Sequence, residues 1–167
     1  LLAAAEQARR GKRFRPGVAA FHYHLETALC RLLRELESGC WRPGPYRTFV
    51  IHHPKRRVIS AAPYADRVVH HALVNVLEPI FERTFIADSF ACRRGKGTHA
   101  AVRRCQQFAR RFPYVFKADI RKFFPSVDHS IAKRLVARKI KDRRVLDLLG
   151  LIIDSSRHQE PAVDWYP

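Results

Sequence analysis

Apolar residues recur at three- and four-residue steps between Val18 and Leu36, and this spacing constrains the fold more than any other feature of the sequence. The stripe comprises Val18, Phe21, Leu25, Leu29, Leu32 and Leu36. That periodicity is typical of an amphipathic helix whose apolar face packs against a core. Gly39 follows at a position where glycine commonly ends a helix. A chain of 167 residues with 47% hydrophobic content is large enough to bury such a face. The segment therefore predicts one long helix within a globular domain.

Two β-prone runs follow this helix. They cover Tyr46–His52 and Arg57–Ala61, and Pro54 lies in the short connection between them. Such runs, joined by a brief segment that contains proline, predict a β-hairpin with antiparallel strands.

Helical patterns dominate the rest of the chain. They cover Asp66–Leu77, Thr98–Arg111, Ser130–Lys139 and Arg143–Ser155. Pro79 is expected to interrupt or restart the first of them. N-cap residues are expected at the later helices, namely Thr98, Asp128 and Asp142. The apolar run Tyr114–Ile120 predicts a buried strand with Asp119 at its end. This order of elements predicts an α+β fold in which helices pack on a small antiparallel sheet.

The charge of the chain is strongly positive. Lys and Arg total 32 against 15 Asp and Glu, which gives a net charge of +17. The densest basic segment runs from Ser89 to Ala118 and contains no acidic residue. A surplus of this size implies a polyanionic partner, and nucleic acid is the leading candidate.

Several classes of protein are excluded by simple patterns. The longest strongly apolar stretch, Leu148–Ile153, is far too short for a membrane span, so no membrane partner is expected. The 4 cysteines are widely separated and form no CxxC pair, which predicts reduced thiols in a cytosolic protein. No cluster of His and Cys has the spacing of a structural zinc site. Because the sequence contains no Met, even at position 1, we expect it to be a piece of a longer protein.

Asp119 carries the sharpest chemical signal. It follows an apolar run and is flanked by Lys117, Arg121 and Lys122. A carboxylate at a strand end can bind Mg²⁺ while phosphate oxygens complete the coordination. Nucleotidyl transfer commonly uses two such ions, and one Asp cannot hold both. Spacing alone favours the simpler interpretation, in which Asp119 caps a turn or forms an ion pair with Arg121.

Three blocks of sequence carry a family resemblance. The first comprises Arg57–Ser60, Pro63–Leu73 and Leu77–Phe85; the second is Ser89-Phe-Ala-Cys-Arg-Arg-Gly-Lys-Gly-Thr-His-Ala-Ala; the third is Asp119-Ile-Arg-Lys-Phe-Phe-Pro-Ser-Val-Asp-His. In order and spacing these blocks resemble bacterial reverse transcriptases across nearly the whole chain. The residues of the second block are most similar to those in the reverse transcriptases of diversity-generating retroelements, and group II intron enzymes rank second.

The resemblance implies a role for each matched residue around the reaction centre. Asp119 would be the first catalytic, metal-binding aspartate, and the carbonyl of Ile120 would be a further ligand of Mg²⁺. Phe124 matches the aromatic steric gate, whose ring excludes the 2′-OH that distinguishes ribonucleotides. Phe123 is more simply interpreted as a core residue.

The resemblance also assigns basic residues to phosphate groups. Lys55 and Arg57, on the predicted hairpin, match residues that neutralise the incoming triphosphate, although a solvated turn would have the same composition. Residues along the template or near the nucleotide would be Arg93, Arg94, Lys96 and Gly97. Gly95 and Gly97 allow close approach of the backbone. A generic phosphate-binding surface explains these basic residues nearly as well.

One departure from the family pattern is clear. The remaining metal ligands of the family lie in a Tyr-x-Asp-Asp turn, and no Asp-Asp pair occurs in these 167 residues. The resemblance implies an N-terminal helical segment over residues 1–45, fingers over 46–112 and the start of a truncated palm over 113–167, with no thumb. Without those carboxylates we expect the piece alone to be inactive.

The sequence therefore predicts the fingers and early palm of a right-hand RNA-directed DNA polymerase. The resemblance implies an RNA template, a DNA or RNA primer, deoxynucleoside triphosphates and Mg²⁺, and for the retroelement subtype a small basic accessory protein. The alternative is a non-catalytic, basic RNA-binding module derived from a polymerase. The net charge supports both interpretations equally.

Overall fold

The structure is a computed structural model that describes residues 1–120 and 123–156, with the backbone alone at residues 124 and 125. Helices account for most of it. They are α1 (Leu2–Arg9), α2 (Pro16–Tyr23), α3 (Leu25–Glu37), α4 (Tyr64–Glu82), α5 (Thr98–Arg111), α6 (Phe123–Ser126), α7 (His129–Ala137) and α8 (Arg143–Ser155). The strands β1 (Arg47–Ile51) and β2 (Arg57–Ala61) form a two-stranded antiparallel sheet. This composition agrees with the predicted α+β class.

The chain divides into two compact units. Unit 1 comprises Leu1–Val76 and the described part of Val127–Pro167, and unit 2 comprises Leu77–Ser126. Helix α4 contributes residues to both units. The division predicted at residues 45 and 112 stays a prediction.

Helices, not the sheet, build the core of unit 1. Its buried residues come from α1 to α4 and from the segment after α3: Ala4, Ala5, Ala8, Val18, Leu32, Trp41, Tyr64, Val68 and Val69. The three alanines leave α1 a flat face that neighbouring side chains can approach closely. Neither strand contributes a buried residue. The prediction that helices pack on the sheet therefore needs correction for this core, because the apolar faces of the helices cover one another.

The predicted long helix is two helices. The apolar steps continue from α2 into α3, but His24 between them has a backbone conformation of φ −109° and ψ 36°, which is not helical. The predicted end is confirmed, since Gly39 follows α3 with φ +71°. Glycine is favoured there because a left-handed backbone strains other residues.

The predicted hairpin is confirmed. Arg47 of β1 lies opposite Ala61 of β2, and Ile51 lies opposite Arg57 at the end nearest the turn. Helix α4 then runs through Pro79 to Glu82, further than the sequence predicts. An internal proline removes one helical hydrogen bond and crowds the carbonyl four residues earlier, yet α4 continues for three residues beyond it.

The two aspartate caps are confirmed. The carboxylate of Asp128 accepts the backbone N–H groups of Ser130 at 2.7 Å and Ile131 at 3.0 Å, at the start of α7. That of Asp142 accepts those of Arg144 at 2.9 Å and Val145 at 3.2 Å, at the start of α8. Because these bonds favour the ionised carboxylate, the pKa of Asp128 is lowered, with its bond to the Ser130 hydroxyl as the largest cause.

One element predicted within the residues of unit 2 is absent from the structure. The segment Tyr114–Ile120 is irregular rather than a buried strand, and the side chains of Tyr114 and Phe116 are 90% and 91% exposed. A strand needs a neighbour to satisfy its backbone hydrogen bonds. Among the described residues the only sheet is β1–β2, whose strands pair with each other. The strand prediction is therefore wrong for this structure.

One further finding concerns membranes. Within the part of the chain that the structure describes, no helix has the length and apolar character needed to cross a bilayer.

Candidate nucleic-acid interface

Arg93 organises the loop between α4 and α5. Its side chain is only 9% exposed. Nε and Nη2 donate to the Glu82 carboxylate at 2.8 and 2.6 Å, and Nη1 donates to the carbonyls of Ile86 at 2.7 Å and Ser89 at 3.0 Å. The guanidinium also lies 5.5 Å from the centre of the Phe85 ring. Its hydrogen-bond donors thus face the protein, and Arg93 holds the loop against the end of α4.

Arg94 has the opposite environment. Its side chain is exposed, and within the described residues no hydrogen bond or ion pair engages it. Lys96 is intermediate: its Nζ donates to the carbonyl of Ala87 and lies 5.1 Å from the centre of the Phe90 ring. Of the three predicted cations in this loop, Arg94 is the one with a guanidinium free to bind a phosphate.

Gly97 leads into α5 as its N-cap residue. Its φ of +102° requires glycine, and a Cβ atom there would meet no other atom within 4 Å. Thr98, predicted as the cap, is instead the first helical residue, and no side chain caps the helix. The first N–H groups of α5 therefore stay available to an anion.

Helix α5 presents cations to solvent along its length. None of its residues is buried. Arg104 is engaged by Asp88, to which its Nε and Nη2 donate at 2.7 and 3.2 Å. Exposed side chains without a described acidic partner are Arg103, Arg110 and Arg111. Arginines of this kind suit phosphate groups because a guanidinium can donate two parallel hydrogen bonds.

Ion pairs with acidic residues determine which arginines remain free to bind phosphate. The hydrogen bond from Arg93 lowers the pKa of Glu82, and that from Arg104 lowers the pKa of Asp88. Both carboxylates are thus ionised at neutral pH. Sequence reasoning missed these two pairings because their partners stand 11 and 16 residues apart, beyond any helical or strand spacing.

The hairpin in unit 1 carries the other predicted phosphate ligands. Lys55 lies in the turn between the strands and Arg57 begins β2, and both side chains are exposed. No described residue forms an ion pair or hydrogen bond with either side chain. The hairpin therefore presents two unneutralised cations at its tip.

Asp119 lies on the exposed, irregular segment of unit 2. Its Oδ1 accepts the backbone N–H of Ile120 at 3.0 Å, and no described residue forms an ion pair with it. The residues described include no group of three or more His, Cys, Asp and Glu side chains that could hold a metal ion. Asp119 and the Ile120 carbonyl therefore do not fit a two-metal site by themselves, since two Mg²⁺ ions need more oxygen ligands.

Phe124 lies within α6, and its side chain is outside the described part of the structure. Its assignment as a steric gate stays a prediction. The same holds for an ion pair between Asp119 and Arg121, since Arg121 is outside the described residues.

Known proteins similar to this chain include an intron maturase and a group II intron-encoded protein. No family model matches the chain. Nuclear intron maturase 1, mitochondrial, of Arabidopsis thaliana is 31% identical over 110 residues, which is 65% of this chain and 15% of that protein. Protein YkfC of Escherichia coli is 31% identical over 134 residues, which is 75% of this chain and 35% of that protein. Group II intron-encoded protein LtrA of Lactococcus lactis is 24% identical over 127 residues, 74% and 21% respectively.

These relatives bear on which family the chain belongs to. The chain spans 35% or less of the length of each. Two of the three are intron proteins by name, which is the subtype that the sequence resemblance ranks second. Assignment to the diversity-generating retroelements stays a prediction. The similarity extends over most of the chain. The chain is a relative of the group II intron maturases and reverse transcriptases.

Proposed function

We propose that this chain supplies the template- and nucleotide-binding part of an RNA-directed DNA polymerase. The observation that carries the proposal is Asp119, which stands in the third sequence block, exposed and without an ionic partner among the described residues. In the intact protein the reaction is addition of a deoxynucleotide to a primer 3′-OH along an RNA template.

The basic residues divide the binding of phosphates between them. Lys55 and Arg57 neutralise the triphosphate of the incoming nucleotide. Arg94 binds the template backbone, beside the Gly97 backbone and the start of α5. Lys96 supports the same surface from its place against Ala87 and Phe90. Arg93 keeps the loop in shape through Glu82 and contacts the template only if that pairing is exchanged.

The reaction centre needs groups beyond the described residues. Asp119 and the Ile120 carbonyl would hold part of the Mg²⁺ coordination, and Mg²⁺ would supply charge neutralisation at the reacting phosphate. Further carboxylates must come from elsewhere in the intact protein. Phe124 would restrict the sugar to the deoxy form. A small basic accessory protein is a partner for the retroelement subtype alone, and the free, exposed thiols suit a cytosolic site of action.

The test is primer extension on an RNA template by the intact protein. Asp119→Asn is expected to abolish DNA synthesis, because an amide binds Mg²⁺ far more weakly than a carboxylate, while RNA binding stays within about twofold. Asp128→Asn is the matched control: it makes the same chemical change nine residues along the chain, and asparagine caps a helix as well as aspartate does. Synthesis by Asp119→Asn at the rate of the Asp128→Asn control would refute the proposal.

The second candidate is a non-catalytic RNA-binding module. It is favoured by the absence of a carboxylate cluster among the described residues, together with the net charge of +17. If the intact wild-type protein binds RNA but extends no primer with Mg²⁺ present, this candidate replaces the first. A pure binding module also predicts that Asp119→Asn changes nothing measurable.

A further inference from the structure

A buried carboxylate supports the segment that enters the basic hairpin. Asp66, in the first turn of α4, is 5% exposed and is the only buried polar or charged residue within the described part of the chain. Its Oδ2 accepts the backbone N–H of Gly44 at 2.7 Å. Asp66 belongs to the first sequence block, yet neither the family resemblance nor the proposed function gives it a role.

Gly44 is fitted closely to this contact. A Cβ atom on Gly44 would lie 3.0 Å from Cγ of Pro63 and 3.5 Å from Oδ2 of Asp66. Proline stands on both sides of Gly44, so the backbone here has little freedom once the N–H is bound. Three residues later the chain enters β1.

A second contact holds the same entry segment. The hydroxyl groups of Tyr46 and Ser155 lie 3.5 Å apart, at the outer limit of a hydrogen bond. The Gly44–Asp66 bond is therefore the stronger of the two, because it is short and its acceptor is charged. Beyond this segment β1 is largely exposed and β2 is half-buried after Arg57, and an isolated two-stranded hairpin is marginally stable in water.

Burial of this carboxylate is costly. Desolvation raises the pKa of Asp66, and the hydrogen bond from Gly44 only partly opposes that rise. An asparagine or threonine would accept the same N–H with less desolvation. The charge-assisted bond accounts for an acid at this position, because it holds Gly44 more firmly than a neutral acceptor would.

We propose that Asp66 is a positioning residue: by binding the Gly44 N–H it fixes the entry into β1 and so orients the hairpin cations Lys55 and Arg57 toward phosphate groups. This inference rests on the proposed function, because it takes the hairpin to be a phosphate-binding element. All the residues concerned belong to unit 1.

The first measurement concerns RNA binding by the 167-residue chain. Fluorescence anisotropy with a labelled single-stranded RNA oligonucleotide is expected to show that Asp66→Ala weakens binding roughly fivefold, as does the double variant Lys55→Ala/Arg57→Ala. Added to that double variant, Asp66→Ala is expected to have no further effect, since it acts through the same two cations. Asp66→Asn, which keeps an acceptor for the Gly44 N–H, should restore most of the affinity.

Asp142→Ala is the matched control. Like Asp66→Ala, it removes a carboxylate that accepts a backbone hydrogen bond in unit 1, but Asp142 accepts two N–H groups and lies at the start of α8. It should lower the melting temperature without changing the RNA affinity of the folded protein. Equal losses of affinity for Asp66→Ala in the two backgrounds, or no loss in either, would overturn the positioning role.

The second measurement needs no RNA. Amide hydrogen exchange by NMR should show Gly44 protected in the wild-type chain and in Asp66→Asn, and unprotected in Asp66→Ala. If Asp66→Ala does not fold, Gly44→Ala disturbs the same contact while keeping the acid. An unchanged Gly44 amide in the folded variant overturns positioning. Conversely, if the Lys55→Ala/Arg57→Ala variant binds RNA as the wild type does, the hairpin's place in the proposed function fails, whatever Gly44 shows.

Discussion

Two adjacent arginines in the loop between α4 and α5 have different surroundings. The guanidinium of Arg93 is held against Glu82 and two carbonyl groups, whereas that of Arg94 is exposed and unpaired within the described residues. A guanidinium that is shielded from water needs its donors satisfied, because leaving them unpaired costs more than the bonds gain. Arg93 therefore contributes chiefly to stability and Arg94 chiefly to binding.

Alanine variants of these arginines should separate the two roles. Arg94→Ala is expected to lower the affinity for single-stranded RNA and to reduce the slope of log K against log salt by about 0.7, with little change in melting temperature. Arg93→Ala should lower the melting temperature by several degrees, because Glu82 and two carbonyls lose their donor. Thermal unfolding and anisotropy on the same samples check this. A large loss of stability for Arg94→Ala, or none for Arg93→Ala, would contradict the assignment.

Residues that act locally were predictable from sequence. Asp128 and Asp142 cap α7 and α8 as expected, because an N-cap depends only on the residues two and three positions ahead. The partners of Arg93 and Asp66 lie 11 and 22 residues away. No periodicity links such positions, so the sequence could suggest that Arg93 binds phosphate but not that Glu82 already binds it.

At the scale of elements, helices and strands were likewise predictable where they depend on local sequence and not where they depend on distant contacts. The bounds of α5 and α8 match their predictions, since each depends on a local pattern. The break at His24 was missed because apolar steps continue across it. The strand at Tyr114–Ile120 was wrongly predicted, because apolar and β-branched composition says nothing about whether a neighbouring strand is present.

Hydrogen exchange should distinguish the paired backbone of the hairpin from the unpaired backbone of the irregular segment. Backbone amides of Tyr114–Asp119 are expected to exchange at nearly the rate of an unfolded chain, because they lie on exposed backbone without strand pairing. Paired amides of β1 and β2 should exchange more slowly, and those in the core half of α4 most slowly. Exchange followed by NMR on the 167-residue chain measures all three at once. Protection at residues 114–119 equal to that of β1 would mean that the strand forms after all.

At the scale of the whole molecule, the positive charge is distributed between bound and free cations. Arginines with acidic partners include Arg31, Arg93, Arg104 and Arg143. Exposed cations without a described acidic partner include Lys55, Arg57, Arg94, Arg103 and Arg110. Composition alone predicted a polyanionic partner, and the sequence blocks predicted where its ligands lie. Only the structure separates the cations that can release counterions on binding from those already neutralised.

This distinction predicts the salt dependence of RNA binding. The double variant Arg103→Gln/Arg110→Gln removes two free cations from α5, so the slope of log K against log salt for single-stranded RNA should become smaller by roughly 1.4. The matched variant Arg31→Gln/Arg143→Gln removes the same charge from arginines paired with Glu35 and Asp147, and its slope should stay close to that of the wild type. Titrations at several salt concentrations measure both slopes. Equal decreases in the two variants would mean that RNA responds to the net charge of the chain and not to a surface formed by its unpaired cations.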